Sequence, residues 1–204
     1  MSEDIVAELR ERFPGITRRE SLDWPALNCP AERWLEVAGI LRDEFEFDFL
    51  TDVTAVDWNE ASPRFTAVYH LFSSDKPAYL RVAVDCPDDA EPEVPSVAGL
   101  WPTADWHERE TFDMFGIRFT GHPDLRRILM WEDYPHFPLR KEFPLAGIET
   151  ELPDSEVAAE TGAGVIGAPM MGGPFVAPQE GPMSEREPRA KDQTWTEKNP
   201  KPKS

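Results

Sequence analysis

Cysteine is scarce in this sequence, and its placement does not suit a metal centre. The two cysteines, Cys29 and Cys86, lie far apart, and neither belongs to a C-x-x-C pair. An iron–sulfur cluster or zinc site built from this chain alone is therefore not expected. We expect two buried thiols in a reducing compartment, and the sequence also leaves a single disulfide between them open.

Long apolar runs are also lacking. No stretch approaches the roughly 18 consecutive apolar residues of a membrane-spanning helix. The N-terminal residues 1–6 are acidic and carry no apolar core, so neither a secretory signal nor an arginine-rich presequence is expected. If the protein works at a membrane, we expect another protein to hold it there.

Basic residues are few relative to acidic ones. Lysine and arginine total 21 and aspartate and glutamate total 39, which gives a formal net charge of −18. Nucleic acid and anionic lipid are disfavoured as partners, because phosphate groups are bound by basic surfaces. An acidic balance of this size most often serves solubility.

Catalytic motifs are missing as well. No serine, cysteine or lysine lies in a nucleophile motif, and the glycine-rich stretch 162–176 lacks a phosphate-binding loop pattern. His107 with Glu110 does not complete an H-E-x-x-H zinc motif, and Glu108 and Glu110 are two apart, so they point in different directions on a helix. His122 could be a general base, but a structural role is favoured for each of these residues.

The elements that are present predict an α+β fold, a small mixed sheet with packed helices. Hydrophobic spacing predicts a helix over 3–13 and a second helix that starts at Pro30. Period-two alternation predicts a strand near 47–58 and a hairpin formed by 65–73 and 78–85. This domain is expected to cover residues 1–116.

Two further segments follow this domain. Residues 117–145 are interpreted as an extended docking arm, irregular and rich in proline, whose arginines contrast with the acidic body. Residues 146–204 form a Pro/Gly-rich tail, which we expect to be disordered alone and to order on partner subunits. Its apolar patch Gly162–Val176 and the lone Trp195 favour a strap along neighbouring proteins.

Residues 100–116 predict a short, highly charged helix. Thr103 is predicted to cap a helix that Gly116 ends. On this helix Asp105, Arg109 and Asp113 form an i, i+4 ladder of alternating charge. Together with the neighbouring glutamates we interpret this ladder as a structural ion-pair lattice. Its members are Asp105, Glu108, Arg109, Glu110 and Asp113.

This segment closely resembles the signature of the C subunit of NADH-quinone oxidoreductase, respiratory complex I. The matching residues are Trp101-Pro102, Ala104, Trp106, Glu108-Arg109-Glu110, Asp113-Met114-Phe115-Gly116-Ile117, Phe119 and Gly121-His122-Pro123-Asp124-Leu125-Arg126-Arg127-Ile128-Leu129. The run 138–144, the strand 50–58 and the turn 95–97 also look like that family. The resemblance covers about residues 46–145. One departure is that His136 stands one position away from the histidine of the family's Gly-His-Pro.

The resemblance implies a non-catalytic, peripheral subunit of a proton-translocating complex that passes electrons from NADH to quinone. Such a subunit scaffolds the quinone-reducing module on the cytoplasmic face of the bacterial inner membrane. It holds no cofactor, because flavin and iron–sulfur clusters belong to partner subunits. Its expected neighbours are the quinone-site subunit, called D in this family of complexes, and the cluster-bearing B and I subunits.

For the partner interface we expect polar contacts from the arm, since arginine forms planar forked hydrogen bonds. The predicted residues are His122, Asp124, Arg126, Arg127, Arg140 and Lys141. Three alternatives stay open. The chain could be the equivalent subunit of a membrane-bound hydrogenase or of a quinone oxidoreductase with another donor, a stand-alone metal-dependent hydrolase using His107, Glu110 and His122, or a transient assembly factor.

Overall fold

The computed structural model describes residues 2–143 of the chain. In chain order the elements are α1 (Ser2–Arg12), β1 (Thr17–Arg19), β2 (Ala26–Asn28), α2 (Ala31–Asp43), β3 (Phe49–Asp57), β4 (Phe65–Ser73), β5 (Ala78–Asp85), β6 (Glu93–Pro95), α3 (Ala104–Phe115) and β7 (Arg118–Thr120). The tail 146–204, with the Gly162–Val176 patch and Trp195, lies outside the described residues.

A five-stranded sheet has the order β1-β2-β5-β4-β3. The predicted hairpin is confirmed, because β4 and β5 pair antiparallel from Thr66 opposite Asp85 to Ser73 opposite Ala78. Strand β2 pairs parallel with β5, and β6 pairs parallel with β7 in a separate two-stranded sheet. These two parallel pairs were not predicted, because three-residue strands are too short to show a hydrophobic period.

The core lies on one face of this sheet. Inward side chains of β4 and β5 form one buried cluster with the apolar faces of α1 and α2. At its centre the rings of Trp34 and Tyr69 are 4.4 Å apart and both residues are fully buried. The hydrophobic spacing of the first two helices therefore predicted the side that each helix buries, except that Leu35 of α2 was expected on this side and is 51% exposed. The α+β fold class is confirmed.

Helix α3 packs along strand β3, which is the edge of the five-stranded sheet. The hydroxyl of Thr111 donates to the carbonyl of Val53 at 3.1 Å, and that of Thr103 donates to the carbonyl of Leu50 at 3.1 Å. Covering an edge strand in this way removes a site for unwanted strand pairing. The prediction that Thr103 caps α3 through its side chain is wrong, because its hydroxyl is used by β3 instead.

The end of α3 agrees with the prediction. Gly116 has φ = 75°, in the left-handed region, and its N–H donates to the carbonyl of Phe112 at 2.8 Å. The chain then enters β7 and continues as the arm. Among the helices within residues 2–143, none is long and apolar enough to cross a bilayer. The sequence-based boundary at residue 116 stays a prediction.

Candidate docking site built on helix α3

Asp113, in the last turn of α3, binds the arm with both carboxylate oxygens. Its Oδ2 accepts three successive backbone N–H groups, from Ile128 at 2.9 Å, Leu129 at 2.6 Å and Met130 at 2.9 Å. Its Oδ1 accepts a bond from Arg127 Nη1 at 2.6 Å. A single fully buried carboxylate thus holds four consecutive arm residues.

The electrostatics of Asp113 follow from these donors. Burial by itself raises the pKa of Asp113, but the N–H groups of Met130, Leu129 and Ile128 and the guanidinium of Arg127 outweigh it. The pKa of Asp113 is therefore held below its ordinary value. The carboxylate is ionised at neutral pH and compensates the positive charge of Arg127.

Arg127 is the cation of this pair, and its donors are used inside the chain. Besides Asp113, its guanidinium donates to the carbonyls of Tyr134 at 2.7 Å and His136 at 3.2 Å. It lies 4.9 Å from the ring centroid of Phe137. Arginine suits this position because its planar fork can donate to several acceptors while it stacks on a ring.

Arg140 makes a second contact between the arm and the end of α3. Its Nε donates to the carbonyl of Phe115 at 2.6 Å, and its guanidinium lies near the rings of Phe137 at 4.5 Å and Phe65 at 4.9 Å. A Cβ placed on Gly116 would be 2.6 Å from Arg140 Nη2. Glycine is thus required here both for its positive φ and for this close approach.

A third contact, between strand β3 and the arm, was not predicted from the sequence. Arg64 and Asp57 form a bidentate pair at 2.8 Å, and Asp57 also accepts the backbone N–H of Lys141 at 2.8 Å. Arg64 further pairs with Glu142. The Arg64 guanidinium in first place, then the surrounding N–H groups, lower the pKa of Asp57. The alternation of β3 could have indicated Asp57, since it places this acid on the buried face.

Glu108 faces away from the arm toward the loop before α3. Its carboxylate accepts the hydroxyl of Ser96 at 2.6 Å and the N–H of Val97 at 2.7 Å. Burial raises the pKa of Glu108 to about 7, and these two hydrogen bonds only partly oppose that effect. The negative charge of Asp105 raises the pKa further.

His122 lies beside these two acids. The backbone N–H of Asp124 donates to its Nδ1 at 3.0 Å. Its Nε2 lies 3.2 Å from the backbone carbonyl oxygen of Asp105 and 3.3 Å from Asp105 Oδ1. Glu108 Oε2 is 3.9 Å from the same nitrogen. The turn that follows β7 is thereby attached to the first half of α3.

The charged residues grouped into one lattice by sequence contact different segments. Asp105 faces His122, Glu108 faces the 96–97 loop and Asp113 faces the arm. Arg109 donates to the carbonyl of Arg126 at 3.3 Å and stacks on Trp106, while Glu110 is exposed. The helix is therefore joined to its surroundings mainly by side chains that reach outward from it.

The six residues predicted for the partner interface divide into two groups. Asp124, Arg126 and Lys141 are exposed, with 63% of the Arg126 side chain accessible. The side chains of His122, Arg127 and Arg140 are turned inward, with 9% of Arg127 accessible. Leu129 and Leu139 add exposed apolar surface to the arm. The interface itself stays a prediction.

The residues considered for catalysis do not converge. His107 Nδ1 is 3.3 Å from Asp52, Glu110 is exposed, and His122 is buried against Asp105. Within residues 2–143, no group of three or more His, Cys, Asp or Glu residues is arranged to hold a metal ion. Both cysteines are free and buried, and burial raises the pKa of each thiol to about 12.

This geometry is suited to presenting a surface of defined shape. Three part-buried contacts, at Asp113, Arg140 and Asp57, attach the arm at intervals between residues 127 and 142. The carboxylates of Asp113 and Asp57 are fully buried, so removing the arginine that pairs with either one would leave a buried charge uncompensated. These contacts fix the backbone of the arm and thereby the positions of its outward side chains.

Comparisons with known proteins give consistent results. The sequence model of the family described as respiratory-chain NADH dehydrogenase, 30 Kd subunit, matches residues 27–149. The C 2 subunit of the NADH-quinone oxidoreductase of Rhizobium etli is 52% identical over 125 residues, which are 60% of this chain and 66% of that protein. The C subunit of the Moorella thermoacetica enzyme is 46% identical over 143 residues, 70% of this chain and 95% of that protein.

A solved structure shares the fold. A chain in the structure of the membrane-bound sulfane sulfur reductase, an archaeal respiratory membrane complex, superposes with a TM-score of 0.57 at 24% identity. The superposition covers 79% of this chain and 92% of that chain. The matched family segment 27–149 includes α3 and all of the arm that the structure describes.

Proposed function

The chain belongs to the family of the 30-kDa subunit of respiratory-chain NADH dehydrogenase, and from this membership we propose that it is the C subunit of a NADH-quinone oxidoreductase. In this role it is a peripheral subunit that scaffolds the quinone-reducing module and carries out no chemistry itself. The observation that carries the proposal is the family match, which spans α3, the arm and most of the sheet.

The arm is the proposed docking element. Its exposed residues Asp124, Arg126, Leu129, Leu139 and Lys141 combine charge with apolar area, as interface residues do. Because the buried contacts hold the arm backbone in place, these side chains can bind a partner without first being ordered. The proposed partners are the quinone-site D subunit and the cluster-bearing B and I subunits.

The proposed location is the cytoplasmic face of the bacterial inner membrane, where partner subunits hold the chain. Flavin and iron–sulfur clusters are proposed to reside in those partners. The inward turn of His122 and the pairing of His107 with Asp52 support a structural rather than a catalytic role. Metal analysis of the purified chain tests this, since stoichiometric zinc or iron would favour the hydrolase alternative.

Purification of the tagged chain from mildly solubilised membranes tests the proposal directly. Mass spectrometry should recover flavin-bearing, cluster-bearing and quinone-site subunits in equal stoichiometry with the chain. A hydrogenase large subunit in their place would assign the chain to an oxidoreductase with another donor. Substoichiometric recovery would indicate an assembly factor, and recovery of the chain alone would contradict the subunit role.

Variants test the arm as the docking element. The exchange Arg126→Glu combined with Lys141→Glu should reduce the amount of partner subunits that co-purify, because it reverses two exposed charges. The matched control is Arg10→Glu combined with Arg33→Glu, since these are exposed cations on α1 and α2 and the control also reverses two charges. Equal losses in both variants would show that overall charge, and not the arm, sets the association.

A further inference from the structure

Three titratable side chains converge beside the first half of α3. Asp105 and Glu108 are on this helix, and His122 is in the turn that follows β7. Nε2 of His122 is 3.3 Å from Asp105 Oδ1 and 3.9 Å from Glu108 Oε2. The side chains of Glu108 and His122 are fully buried, and 39% of the Asp105 side chain is accessible. We call these three residues the acid–histidine cluster.

No cationic side chain forms an ion pair with the two carboxylates of this cluster. Within residues 2–143, neither Asp105 nor Glu108 has a lysine or arginine nitrogen within 4.0 Å, and each is close only to the imidazole of His122. Arg109, one helical turn after Asp105, donates instead to the carbonyl of Arg126. Two carboxylates that share one site without a cation resist being ionised together, so their protonation is coupled.

The other groups that face Glu108 are uncharged. The hydroxyl of Ser96 and the N–H of Val97 donate to it from the loop before α3. The phenol of Tyr69 faces it from β4, and burial first, then the charge of Glu108, raise the pKa of Tyr69. Burial first, and also the charge of Asp105, raise the pKa of Glu108 to about 7, although the two hydrogen bonds oppose them. The cluster therefore binds a proton more readily than a solvated carboxylate does.

The turn at residues 121–124 is attached to the rest of the molecule through His122. The N–H of His122 donates to the carbonyl of Phe119 at 3.2 Å, and the N–H of Asp124 donates to His122 Nδ1 at 3.0 Å. The other residues of the turn are exposed, and a Cβ on Gly121 would have nothing within 4 Å. The buried His122 ring is thus the part of the turn that packs against α3.

We propose that the acid–histidine cluster is a pH-sensitive attachment that holds the turn 121–124 against α3. With one proton bound, the cluster carries a single negative charge, and the His122 ring stays in its buried position. When this proton leaves to solvent, Asp105 and Glu108 are both ionised on either side of the ring, and the turn detaches more often. The exposed docking residues Asp124 and Arg126 are then held less firmly. This consequence for docking rests on the proposed function, whereas the attachment itself does not.

Hydrogen exchange of the full-length chain, followed by NMR at about pH 6 and about pH 8, tests the attachment. The amide protons of His122 and Asp124 report on the turn, and that of Val97 reports on the loop bound by Glu108. After correction for the intrinsic exchange rate, their protection should fall about tenfold between these two pH values, since one proton with a midpoint of about 7 is released. Unchanged protection would overturn the proposal.

The strand β4 shows whether the opening is local. Its amides lie in the middle of the hydrogen-bonded sheet and should be more strongly protected than those of the turn at both pH values. Equal protection in β4 and in the turn would mean that the turn opens only when the whole chain unfolds. That result would contradict a separate attachment of the turn.

Glu108→Gln removes the group that is expected to release the proton. In this variant the protection of the turn should be the same at both pH values. Glu110→Gln is the matched control, because Glu110 is an exposed glutamate on the same helix, and it should behave like the unmodified chain. If the tenfold change persisted in Glu108→Gln, another group would be responsible and the proposal would fail.

Asp105→Asn tests the coupling and provides a second variant should Glu108→Gln not fold. The charge of Asp105 raises the pKa of Glu108, so its removal should move the pH at which the turn loses protection to a lower value. Glu110→Gln again serves as the control. An unchanged midpoint in Asp105→Asn would show that Glu108 titrates independently of Asp105, against the coupled cluster.

Failure of the attachment and failure of the proposed function give different results. If the chain co-purifies with the respiratory subunits but its turn shows no pH-dependent protection, the attachment is wrong and the proposed function stands. If the chain does not co-purify with them while its turn shows the tenfold change, the attachment stands and the proposed function fails.

Discussion

Helix α3 buries one carboxylate near its middle, Glu108, and one in its last turn, Asp113, and the two differ in charge state. Asp113 accepts three backbone N–H groups and a guanidinium, and its pKa is lowered. Glu108 accepts one hydroxyl and one N–H, and its pKa is raised to about 7. Both residues are fully buried. Burial alone therefore does not decide ionisation, and the number and charge of the donors does.

This difference has a structural meaning. Asp113 holds the arm through a carboxylate that is ionised at neutral pH. Glu108 holds the 96–97 loop through a group that gains or loses its proton near pH 7. Substitutions should separate these roles. The expected effect on the free energy of unfolding decreases from Asp113 to Glu108, then to Gly116 at the junction with the arm, and then to Arg126 on the exposed face of the arm.

The Asp113 end should be the more sensitive to substitution. Asp113→Ala leaves Arg127 without its anion and three N–H groups without an acceptor, and the free energy of unfolding should fall by about 3–5 kcal/mol. Urea denaturation of the full-length chain measures this. Asp124→Ala is the control, because Asp124 is an exposed acid whose ion pair with Arg126 lies in solvent. A loss below about 1 kcal/mol for Asp113→Ala would contradict the interpretation that this buried carboxylate holds the arm.

The contribution of Glu108 to the free energy of unfolding should depend on pH. Its pKa is raised from 4.5 to about 7 on folding, so folding favours the protonated form. The stability that this group contributes is present below pH 4.5 and is lost as pH rises through 7. The loss between about pH 5 and 8 should be roughly 2–3 kcal/mol. Glu108→Gln should remove this slope in urea melts at a series of pH values, and an unchanged slope would assign it to another group.

The junction between α3 and the arm should depend on a residue without a side chain. Gly116→Ala forces a positive φ on alanine and places Cβ against Arg140 and Phe137. A stability loss of about 1–2 kcal/mol is expected. Gly39→Ala is the control, since Gly39 lies within α2 and a Cβ there would have nothing within 4 Å. That variant should be stabilised by up to about 1 kcal/mol, and a similar loss in both would contradict the steric argument.

The exposed face of the arm should matter least for stability. Arg126→Ala should change the free energy of unfolding by less than about 0.5 kcal/mol, because its pair with Asp124 is solvent-exposed. Arg127→Ala, one position along the chain, should lower the free energy of unfolding several times more than Arg126→Ala does. Thermal denaturation of the two variants under the same buffer conditions separates them, and equal shifts in Tm would mean that the arm is held by something other than buried pairs.

Much of the local structure could be predicted from sequence. Helical spacing placed α1 and α2, alternation placed β3 to β5, and Gly116 marked the end of α3. The charge pattern of α3 was recognised, and the match to the signature of the C subunit of NADH-quinone oxidoreductase identified the family that the comparisons support. These signals depend on residues close in the chain, which is why the order of residues is enough to detect them.

The fold class, the hairpin, the end of α3 and the family thus followed from residue order alone. The partner of each charged residue, in contrast, was decided only by the packing of the chain. Asp57 accepts the N–H of Lys141, 84 positions away, and the members of the α3 charge pattern bind loop, turn and arm. The packing also turns Arg126 outward and Arg127 inward. Periodicity reports which side of an element is buried, whereas hydrogen-bond partners depend on how distant segments pack.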